Sequence, residues 1–297
     1  MSSDHGYEDI AFHNGAIWLH AVAAGPQHGP LLLLLHGFPE FWYGWRHQIA
    51  PLAEAGFRVI APDQRGYNTS SKPASIAAYA VSELAADVIA ILDQLGRQRA
   101  CIVGHDWGAL VAWNVALTHP DRVTRLVILN VPHPTVMERN LRTNPRQWLK
   151  SWYGLLFQIP WLPEVILSAG NYRIAKFALV RSSRHGSFTP DDLARHAQAW
   201  SEPGAMTAMI NWYRALLRYS PNIVDPQLRV PTRLLWGKND AFLLAEEAQE
   251  SLHFCPGGDL IYFEEATHWI QHDEPDRVNQ LVIEWCRRQD QDIADPP

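Results

Sequence analysis

The segment Cys101-Ile102-Val103-Gly104-His105-Asp106-Trp107-Gly108-Ala109 constrains the fold of this chain more than any other. A short apolar run leads into Asp106, and small and apolar residues at helical spacing follow it. A glycine lies two positions before Asp106 and another two positions after it. Glycine at both places permits a strained turn in which chain segments come too close together for side chains. The pattern therefore predicts a buried strand, a sharp turn at Asp106 and then a helix.

The turn matches the G-x-S-x-G form of a nucleophile elbow, with aspartate in the place of serine. A carboxylate needs no base to become nucleophilic, and its attack on carbon gives an ester rather than an acyl-enzyme. The residue at the elbow therefore indicates displacement at an alkyl carbon instead of acyl transfer.

Short apolar segments alternate with helical patterns, which favours a mostly parallel sheet with helices on both faces. One helical face runs from Leu84 to a natural stop at Gly96, a second helix runs from about Ala109 to His119, and a third begins near Pro275. The predicted strands are Ala16–Val22, Leu31–His36, Arg58–Ala61, Ala100–Val103, Val123–Leu129, Thr232–Trp236 and Leu260–Phe263.

The alternation stops between about residues 131 and 225. This stretch is rich in Trp, Tyr and Arg, has helical apolar spacing and contains no clear buried strand. Prolines bound it on both sides, at positions 132 and 134 and at 221, 226 and 231. We therefore predict a helical cap, 131–225, over the carboxyl ends of the strands, with the core formed by 1–130 and 226–297. The acidic tail Asp290–Pro297 is expected to fray.

Bulk properties exclude several classes of protein. The 297 residues are 47% hydrophobic, enough for one large core, or for one core with a covering subdomain. The net charge of −6 and the lack of a basic cluster predict that the chain binds neither nucleic acid nor an anionic membrane surface. The apolar run Leu31–Leu35, like every other apolar run in the sequence, is too short to span a bilayer. Residues 1–10 contain no apolar segment of a signal peptide, so we expect a cytoplasmic protein.

The chain has three scattered cysteines, Cys101, Cys255 and Cys286, without metal-ligand or CxxC spacing. In a cytoplasmic protein such cysteines are expected to be reduced. No metal site is predicted.

Three further features each follow a predicted strand. Because the carboxyl ends of parallel strands lie at the same edge of a sheet, these features are expected to lie close together there. His36-Gly37-Phe38-Pro39 follows the leucine run and is expected to aim the Phe38 N–H at the elbow, with the Trp107 N–H as second oxyanion donor. Asp240 and His268 each follow a later strand, which gives the nucleophile, acid and histidine order of an α/β hydrolase. The competing position for the acid, after Val123–Leu129, holds Asn130.

The chain resembles the epoxide hydrolases of the α/β-hydrolase superfamily along nearly its whole length. The matching motifs are His36-Gly37-Phe38-Pro39-Glu40, Asp63-Gln64-Arg65-Gly66-Tyr67, Gly104-His105-Asp106-Trp107-Gly108-Ala109, Tyr153 with Phe157-Gln158, Asn211-Trp212-Tyr213-Arg214, and His268-Trp269 followed by Glu274-Pro275. The resemblance implies an α/β-hydrolase fold with a helical cap inserted after the sixth strand. It also implies that Asp106 is the nucleophile, that Asp240 and His268 activate water, and that the cap residues Tyr153 and Tyr213 bind the epoxide oxygen.

The chemistry of an epoxide agrees with these residue types. Opening of the ring produces a basic alkoxide, and a phenol with a pKa near 10 stays protonated at neutral pH and can donate to it. The expected reaction is hydrolysis of a small hydrophobic epoxide to a vicinal diol by water, without metal or organic cofactor, in a monomer or homodimer. Many Trp, Leu and Phe residues in and beside the cap predict an apolar pocket, with Trp107, Trp152 and Trp269 as substrate contacts.

Two alternatives remain open. Dehalogenases of the same superfamily also use an elbow aspartate, but haloalkane dehalogenases usually place Asn or Glu where Phe38 follows the HG pair. Fluoroacetate-type enzymes place arginines where this chain has Trp107 and Leu110. A ligand-binding protein of the same fold, without catalysis, is expected to have lost at least one catalytic residue, whereas this chain keeps them all.

Overall fold

An eight-stranded sheet forms the centre of the molecule. The computed structural model describes residues 6–219, 223 and 225–288. Within them the strands are β1 (Glu8–Asn14), β2 (Ile17–Ala24), β3 (Leu31–Leu35), β4 (Arg58–Pro62), β5 (Ala100–His105), β6 (Val123–Leu129), β7 (Thr232–Gly237) and β8 (Asp259–Phe263). Their order across the sheet is β1-β2-β4-β3-β5-β6-β7-β8. Only the pairs β1–β2 and β2–β4 are antiparallel. The mostly parallel sheet predicted from the sequence is therefore confirmed.

Helices flank the sheet and fill the long connections. They are α1 (Ile49–Glu54), α2 (Val81–Gln94), α3 (Trp107–Thr118), α4 (Pro134–Thr143), α5 (Pro145–Leu156), α6 (Leu162–Ser182), α7 (Pro190–Trp200), α8 (Ala205–Arg218), α9 (Glu246–Ser251), α10 (Ile270–Asp273) and α11 (Pro275–Arg287). Short 3-10 helices cover Trp42–Trp45, Ile76–Tyr79, Pro120–Arg122 and Leu252–Phe254. The α2 helix ends just before the predicted stop at Gly96, and α11 begins at the predicted proline.

The sheet separates two hydrophobic cores. All five leucines of β3 are buried. Leu31, Leu33 and Leu35 belong to one core and Leu32 and Leu34 to the other, because successive side chains of a strand point to opposite faces. Helices α2 and α3 contribute to the first core, and α1 and α11 to the second. A strand that is covered on both faces has an uninterrupted apolar sequence, and this is why β3 is conspicuous in the chain.

Strand β1 is absent from the sequence-based prediction, and β2 lies one to two residues later than predicted. The reason is that β1 is an edge strand, antiparallel to β2, in which only Phe12 is buried. One buried residue in seven is too weak a pattern to distinguish a strand from a polar loop.

The expectation that all cysteines are reduced is wrong for two of the three. Cys101 in β5 and Cys286 in α11 form a disulfide, and Cys255 is free and buried. The bonded pair is separated by 185 residues in sequence. Because only the packing of α11 beneath the sheet brings the two sulfur atoms together, no local spacing could indicate the bond.

Helices α4 to α8, called the inserted helices below, lie between β6 and β7, where the cap is predicted. No strand interrupts them within residues 131–219, and α6 contains a break at residues 169–172. Indole N–H groups fix them to the core: Trp200 donates to the Pro39 carbonyl at 2.5 Å and Trp212 to the Arg65 carbonyl at 2.9 Å. The division into core and cap domains stays a prediction. The predicted frayed tail, Asp290–Pro297, lies outside the described residues, as do 220–222 and 224 near the end of the predicted cap.

Among the helices that the structure describes, none combines the length and apolar character that crossing a bilayer requires.

Candidate active site

Asp106 occupies a sharp turn between β5 and α3. Its φ of 50° and ψ of −123° lie in a region that residues other than glycine rarely adopt. A Cβ atom on Gly104 would lie 2.6 Å from the Gly108 carbonyl oxygen, and one on Gly108 would overlap the Leu35 carbonyl. The two flanking glycines are therefore required sterically, and the predicted strand, turn and helix are confirmed.

The turn that follows β3 lies against this carboxylate. The Phe38 N–H donates to Asp106 Oδ1 at 2.6 Å. A side chain at Gly37 would collide with Asp106, so glycine is needed there for the close approach. One oxyanion donor is thus in contact with the nucleophile candidate. The second, the N–H of Trp107 at the start of α3, stays a prediction.

Asp106, Asp240 and His268 follow β5, β7 and β8 and meet at the carboxyl edge of the sheet. His268 Nδ1 lies 2.7 Å from Asp240 Oδ2, and Nε2 lies 3.5 Å from Asp106 Oδ2. The imidazole therefore stands between two carboxylates. A histidine held by one carboxylate can accept a proton from water on the side of the other.

Asp240 is held by three donors besides the imidazole. Asn130 Nδ2 donates to Oδ2 at 2.7 Å, and the N–H groups of Phe242 and Leu243 donate to Oδ1 at 2.7 and 3.0 Å. Asn130 follows β6, the position considered above for a competing acid. In the structure Asn130 instead orients Asp240, a role that the sequence analysis did not predict. The only feature of the sequence that could have indicated this role is the position of a polar residue directly after a buried strand.

The pKa values of this group reflect strong mutual attraction. Burial alone would raise the pKa of Asp240, but His268, Asn130 and the Phe242 N–H favour the carboxylate and lower that pKa. Burial alone would lower the pKa of His268, but the charges and hydrogen bonds of Asp240 and Asp106 raise it to about 10. In the free protein at neutral pH, His268 is therefore a cation between two anions.

A buried polar network lies behind His268. His105 Nε2 donates to the His268 carbonyl at 2.9 Å, and Gln271 Nε2 donates to His105 Nδ1 at 3.0 Å and to Glu40 Oε2 at 3.1 Å. His272 Nε2 donates to Glu40 Oε1 at 2.7 Å. These contacts hold the loop after β8 in place. In the part of the chain that is described, no three His, Cys, Asp or Glu side chains are arranged to hold a metal ion.

A cavity of about 430 Å³ lies between Asp106 and the inserted helices. Its volume is within the usual range for small-molecule sites. Apart from the carboxylate, Ser151, Gly154, Gln158 and two tyrosines, its walls are apolar and consist of Trp107, Leu110, Val131, Met137, Leu141, Trp148, Trp152, Leu155, Leu216, Leu217, Phe242 and Leu243.

Tyr153 on α5 and Tyr213 on α8 line the same cavity as Asp106. Their ring centroids are 5.9 Å apart, and Tyr213 packs edge-on against Phe38 at 5.3 Å. Burial raises the pKa of both phenols, and the negative charge of Asp106 raises each further. Both side chains therefore remain hydrogen-bond donors at any physiological pH.

Helix α5 is attached to the loop that carries the acid. Lys150 Nζ donates to the Asp240 carbonyl at 2.5 Å, and Gln147 Nε2 donates to the Phe242 carbonyl at 2.9 Å. Tyr153 lies one turn beyond Lys150, so these bonds fix its position relative to Asp240 and His268. Neither contact could be found from sequence, because both join residues about 90 positions apart.

The three predicted tryptophan contacts have different positions. Trp107 lines the cavity and packs 4.7 Å from the ring of Tyr213, and Trp152 lines it although much of its indole is exposed. Trp269 does not line the cavity. Its indole is 2% exposed, packs 5.2 Å from the imidazole of His268 and donates to Ser182 Oγ at 2.9 Å. It supports the catalytic histidine candidate from behind, so its prediction as a substrate contact is not supported.

Comparison with known proteins adds independent information. Residues 30–275 match the family model described as the alpha/beta hydrolase fold. The chain is 47% identical over 277 residues to the AB hydrolase superfamily protein YfhM of Bacillus subtilis (strain 168), covering 93% of this chain and 97% of that protein. It is 38% identical over 279 residues to human epoxide hydrolase 4, covering 92% of this chain and 76% of that protein.

Solved structures agree with the fold. The Bacillus megaterium epoxide hydrolase in complex with an inhibitor superposes with a TM-score of 0.86 at 29% identity, covering 94% of this chain and 100% of that one. Epoxide Hydrolase A from Mycobacterium thermoresistibile superposes with a TM-score of 0.84 at 30% identity, covering 95% of this chain and 98% of that one. The chain therefore belongs to the α/β hydrolase family and, within it, to the epoxide hydrolase group.

Proposed function

We propose that this protein hydrolyses epoxides to vicinal diols through a covalent ester on Asp106. The observation that carries the proposal is one apolar cavity that contains both a carboxylate and two protonated phenols, Tyr153 and Tyr213. Human epoxide hydrolase 4 and the Bacillus megaterium epoxide hydrolase, to which the chain is similar, are named for the same substrate class. In this proposal the inserted helices act as a cap, residues 131–225, over a core formed by 1–130 and 226–297.

The first step is ring opening by Asp106. The Phe38 N–H engages Oδ1, so Oδ2 is the oxygen that attacks a ring carbon. The bond from that carbon to the epoxide oxygen breaks as the new ester bond forms. Tyr153 and Tyr213 bind the epoxide oxygen and one of them donates a proton, because an alkoxide is too basic to leave without one. Donors in a cavity with little water stabilise such charge far better than donors in water.

The second step is hydrolysis of the ester. His268, oriented by Asp240, takes a proton from water, and the resulting hydroxide attacks Cγ of Asp106. Negative charge develops on Oδ1, where the Phe38 N–H and the predicted Trp107 N–H stabilise it; one such donor is typically worth about 3–4 kcal/mol. The bond between Cγ and Oδ2 then breaks. The proton that remains on the water-derived oxygen passes to Oδ2, which leaves with the diol, and the oxygen from water stays in the Asp106 carboxylate.

Ester formation prepares His268 for its role as a base. In the free protein the charges of Asp240 and Asp106 together hold the pKa of His268 at about 10, so the imidazole carries a proton. Alkylation neutralises Asp106 and removes one of the two attractions. The pKa of His268 then falls, its proton is released and restores the phenol of the tyrosine that donated in the first step, and the neutral imidazole needed for the second step becomes available.

This shift predicts a specific pH dependence. Ester decay is expected to slow as the pH falls through the pKa of His268 in the ester form, because a protonated imidazole cannot accept a proton from water. That pKa should lie below the value of about 10 in the free protein. Rapid-quench measurement of ester decay between about pH 5.5 and 10.5 checks this expectation. Decay that does not change with pH, or that has its midpoint at 10, would contradict it.

The substrate class follows from the cavity walls. Trp107 and Trp152 are proposed as substrate contacts among predominantly aliphatic and aromatic side chains. A lipophilic aryl or alkyl epoxide fits such walls, since each buried CH₂ group contributes about 0.8 kcal/mol to transfer out of water. Among the described residues, no arginine lines the cavity to hold a substrate carboxylate.

The reaction can be tested with two substrates in parallel. The protein is incubated with styrene oxide and, separately, with 1-bromohexane, and diol and bromide are measured. We expect diol without bromide, and we expect Asp106→Ala to abolish diol formation. Asp121→Ala, which removes an exposed carboxylate in a surface 3-10 turn, is the matched control and should remain active. Bromide release without diol formation would assign the protein to the dehalogenases instead.

A further inference from the structure

We propose that the inserted helices dock on the surface of an anionic phospholipid bilayer, with the cavity mouth facing the lipid. The first observation is the distribution of exposed apolar side chains. Within residues 6–219, 223 and 225–288, every exposed large hydrophobic residue lies between positions 148 and 219. They belong to α5, α6 and α8 and the turns beside them, and a large exposed apolar surface usually marks an interaction site.

These exposed side chains, called the patch below, include four that border the active-site cavity. Trp148, Trp152, Leu155 and Leu217, called the cavity rim below, all line the cavity and are 50% to 71% exposed. Leu149, next to the rim on α5, is 78% exposed. The opening through which a substrate enters is therefore surrounded by side chains that favour an apolar phase over water.

The second observation is charge. Residues 131–219 contain eleven Lys and Arg against five Asp and Glu, whereas the rest of the chain contains fourteen against 26. The net charge of −6 led to the expectation that the chain does not bind an anionic membrane surface. That net charge is the sum of a basic segment, 131–219, and an acidic remainder. Residues 165–190 include four Lys and Arg and no Asp or Glu, together with the exposed side chains of Ile174, Phe177 and Val180. Basic residues beside exposed apolar ones are typical of surfaces that bind anionic lipid.

The same observations favour a bilayer over a second copy of the chain. Two basic segments brought face to face would repel each other. Trp148, Trp152 and Trp161 are all exposed, and indole rings prefer the boundary between lipid headgroups and acyl chains. A docked molecule would receive its apolar substrate directly from the membrane in which that substrate dissolves. This last consequence rests on the proposed function, but docking itself does not.

Vesicle sedimentation tests the proposal. The protein is mixed with extruded vesicles of phosphatidylcholine alone or with about 30% phosphatidylglycerol, at low and high NaCl. Binding is expected only to the anionic vesicles and should weaken several-fold when the NaCl concentration rises from about 0.05 to 0.5 M, because salt screens the attraction. Leu149→Glu and Trp161→Glu should each weaken binding at least about tenfold, since both remove apolar contact and add a negative charge.

The control is Ala11→Glu, which adds the same charge at an exposed position of β1, outside the patch. It should bind as the unmodified protein does, and circular dichroism of each variant confirms that the fold is intact. Equal binding to both kinds of vesicle, or none, would overturn the proposal. The proposal would also be overturned if the protein did not bind vesicles and instead self-associated, and if Leu149→Glu abolished that self-association. If the protein binds anionic vesicles but hydrolyses no epoxide, the result would support docking and would contradict only the proposed reaction.

Discussion

Replacement of His268 by glutamine is expected to stop the reaction at the covalent ester. Glutamine keeps hydrogen-bonding capacity beside Asp240 but cannot accept a proton from water, so ester hydrolysis should slow by about 10³- to 10⁴-fold. Alkylation should continue within about tenfold of the normal rate, because Asp106 attacks without a base. The protein would therefore accumulate as an adduct within its first catalytic cycle.

Intact-protein mass spectrometry after exposure to styrene oxide measures this adduct, and peptide mapping locates it. The expected mass increase equals one molecule of epoxide, attached at Asp106. The matched control is His253→Gln, a change at an exposed histidine after α9, which should turn over normally without an adduct. A His268→Gln variant that hydrolyses styrene oxide at the normal rate would show that another group activates water.

Removal of the two phenolic hydroxyls is expected to impair the other half-reaction. Tyr153→Phe and Tyr213→Phe should each slow ester formation by about 10- to 100-fold, and the double variant by about 10³-fold or more. The rings still fill the cavity, so the losses reflect the missing donors rather than altered packing. Hydrolysis of an ester once formed should change only a few-fold, because that step depends on His268 and the oxyanion donors.

Rapid-quench measurement of ester formation, with protein in excess over substrate, separates the two steps. Tyr219→Phe serves as the control, since Tyr219 follows α8 and is 45% exposed. The two single changes and the double change form a double-mutant cycle that reports whether the hydroxyls act on the same oxygen. Ester formation at the normal rate in the double variant would contradict the proposed role of the tyrosines.

Much of the sheet was predictable because its strands are buried on both faces. Every residue of β3, β4 and β5 is buried, and each therefore appears as a short apolar run bounded by turn residues. In edge strand β1 only Phe12 is buried, so this strand has no such signature. The inserted helices were predicted from helical spacing and the lack of strands, although the break within α6 was not.

The candidate catalytic residues were predictable for a related reason. Asp106 directly follows β5, and Asp240 and His268 lie in the loops that follow β7 and β8; parallel strands bring such positions to one edge of the sheet. Contacts between distant segments were not predictable, because no local pattern records them. Examples are Lys150 on the Asp240 carbonyl and the Cys101–Cys286 disulfide. Trp269 was misjudged for the converse reason: proximity to His268 in sequence does not reveal which side of the imidazole an indole occupies.

Transfer of an oxygen atom from Asp106 to the diol is the central event of the proposed reaction, and isotope labelling measures it directly. A single turnover of styrene oxide is run in ¹⁸O-labelled water with the protein in excess, and the diol and the peptide containing Asp106 are analysed by mass spectrometry. The proposed reaction predicts an unlabelled diol and one ¹⁸O atom in the Asp106 carboxylate. Label in the diol and none in Asp106 would mean that water attacks the epoxide directly and that no ester forms.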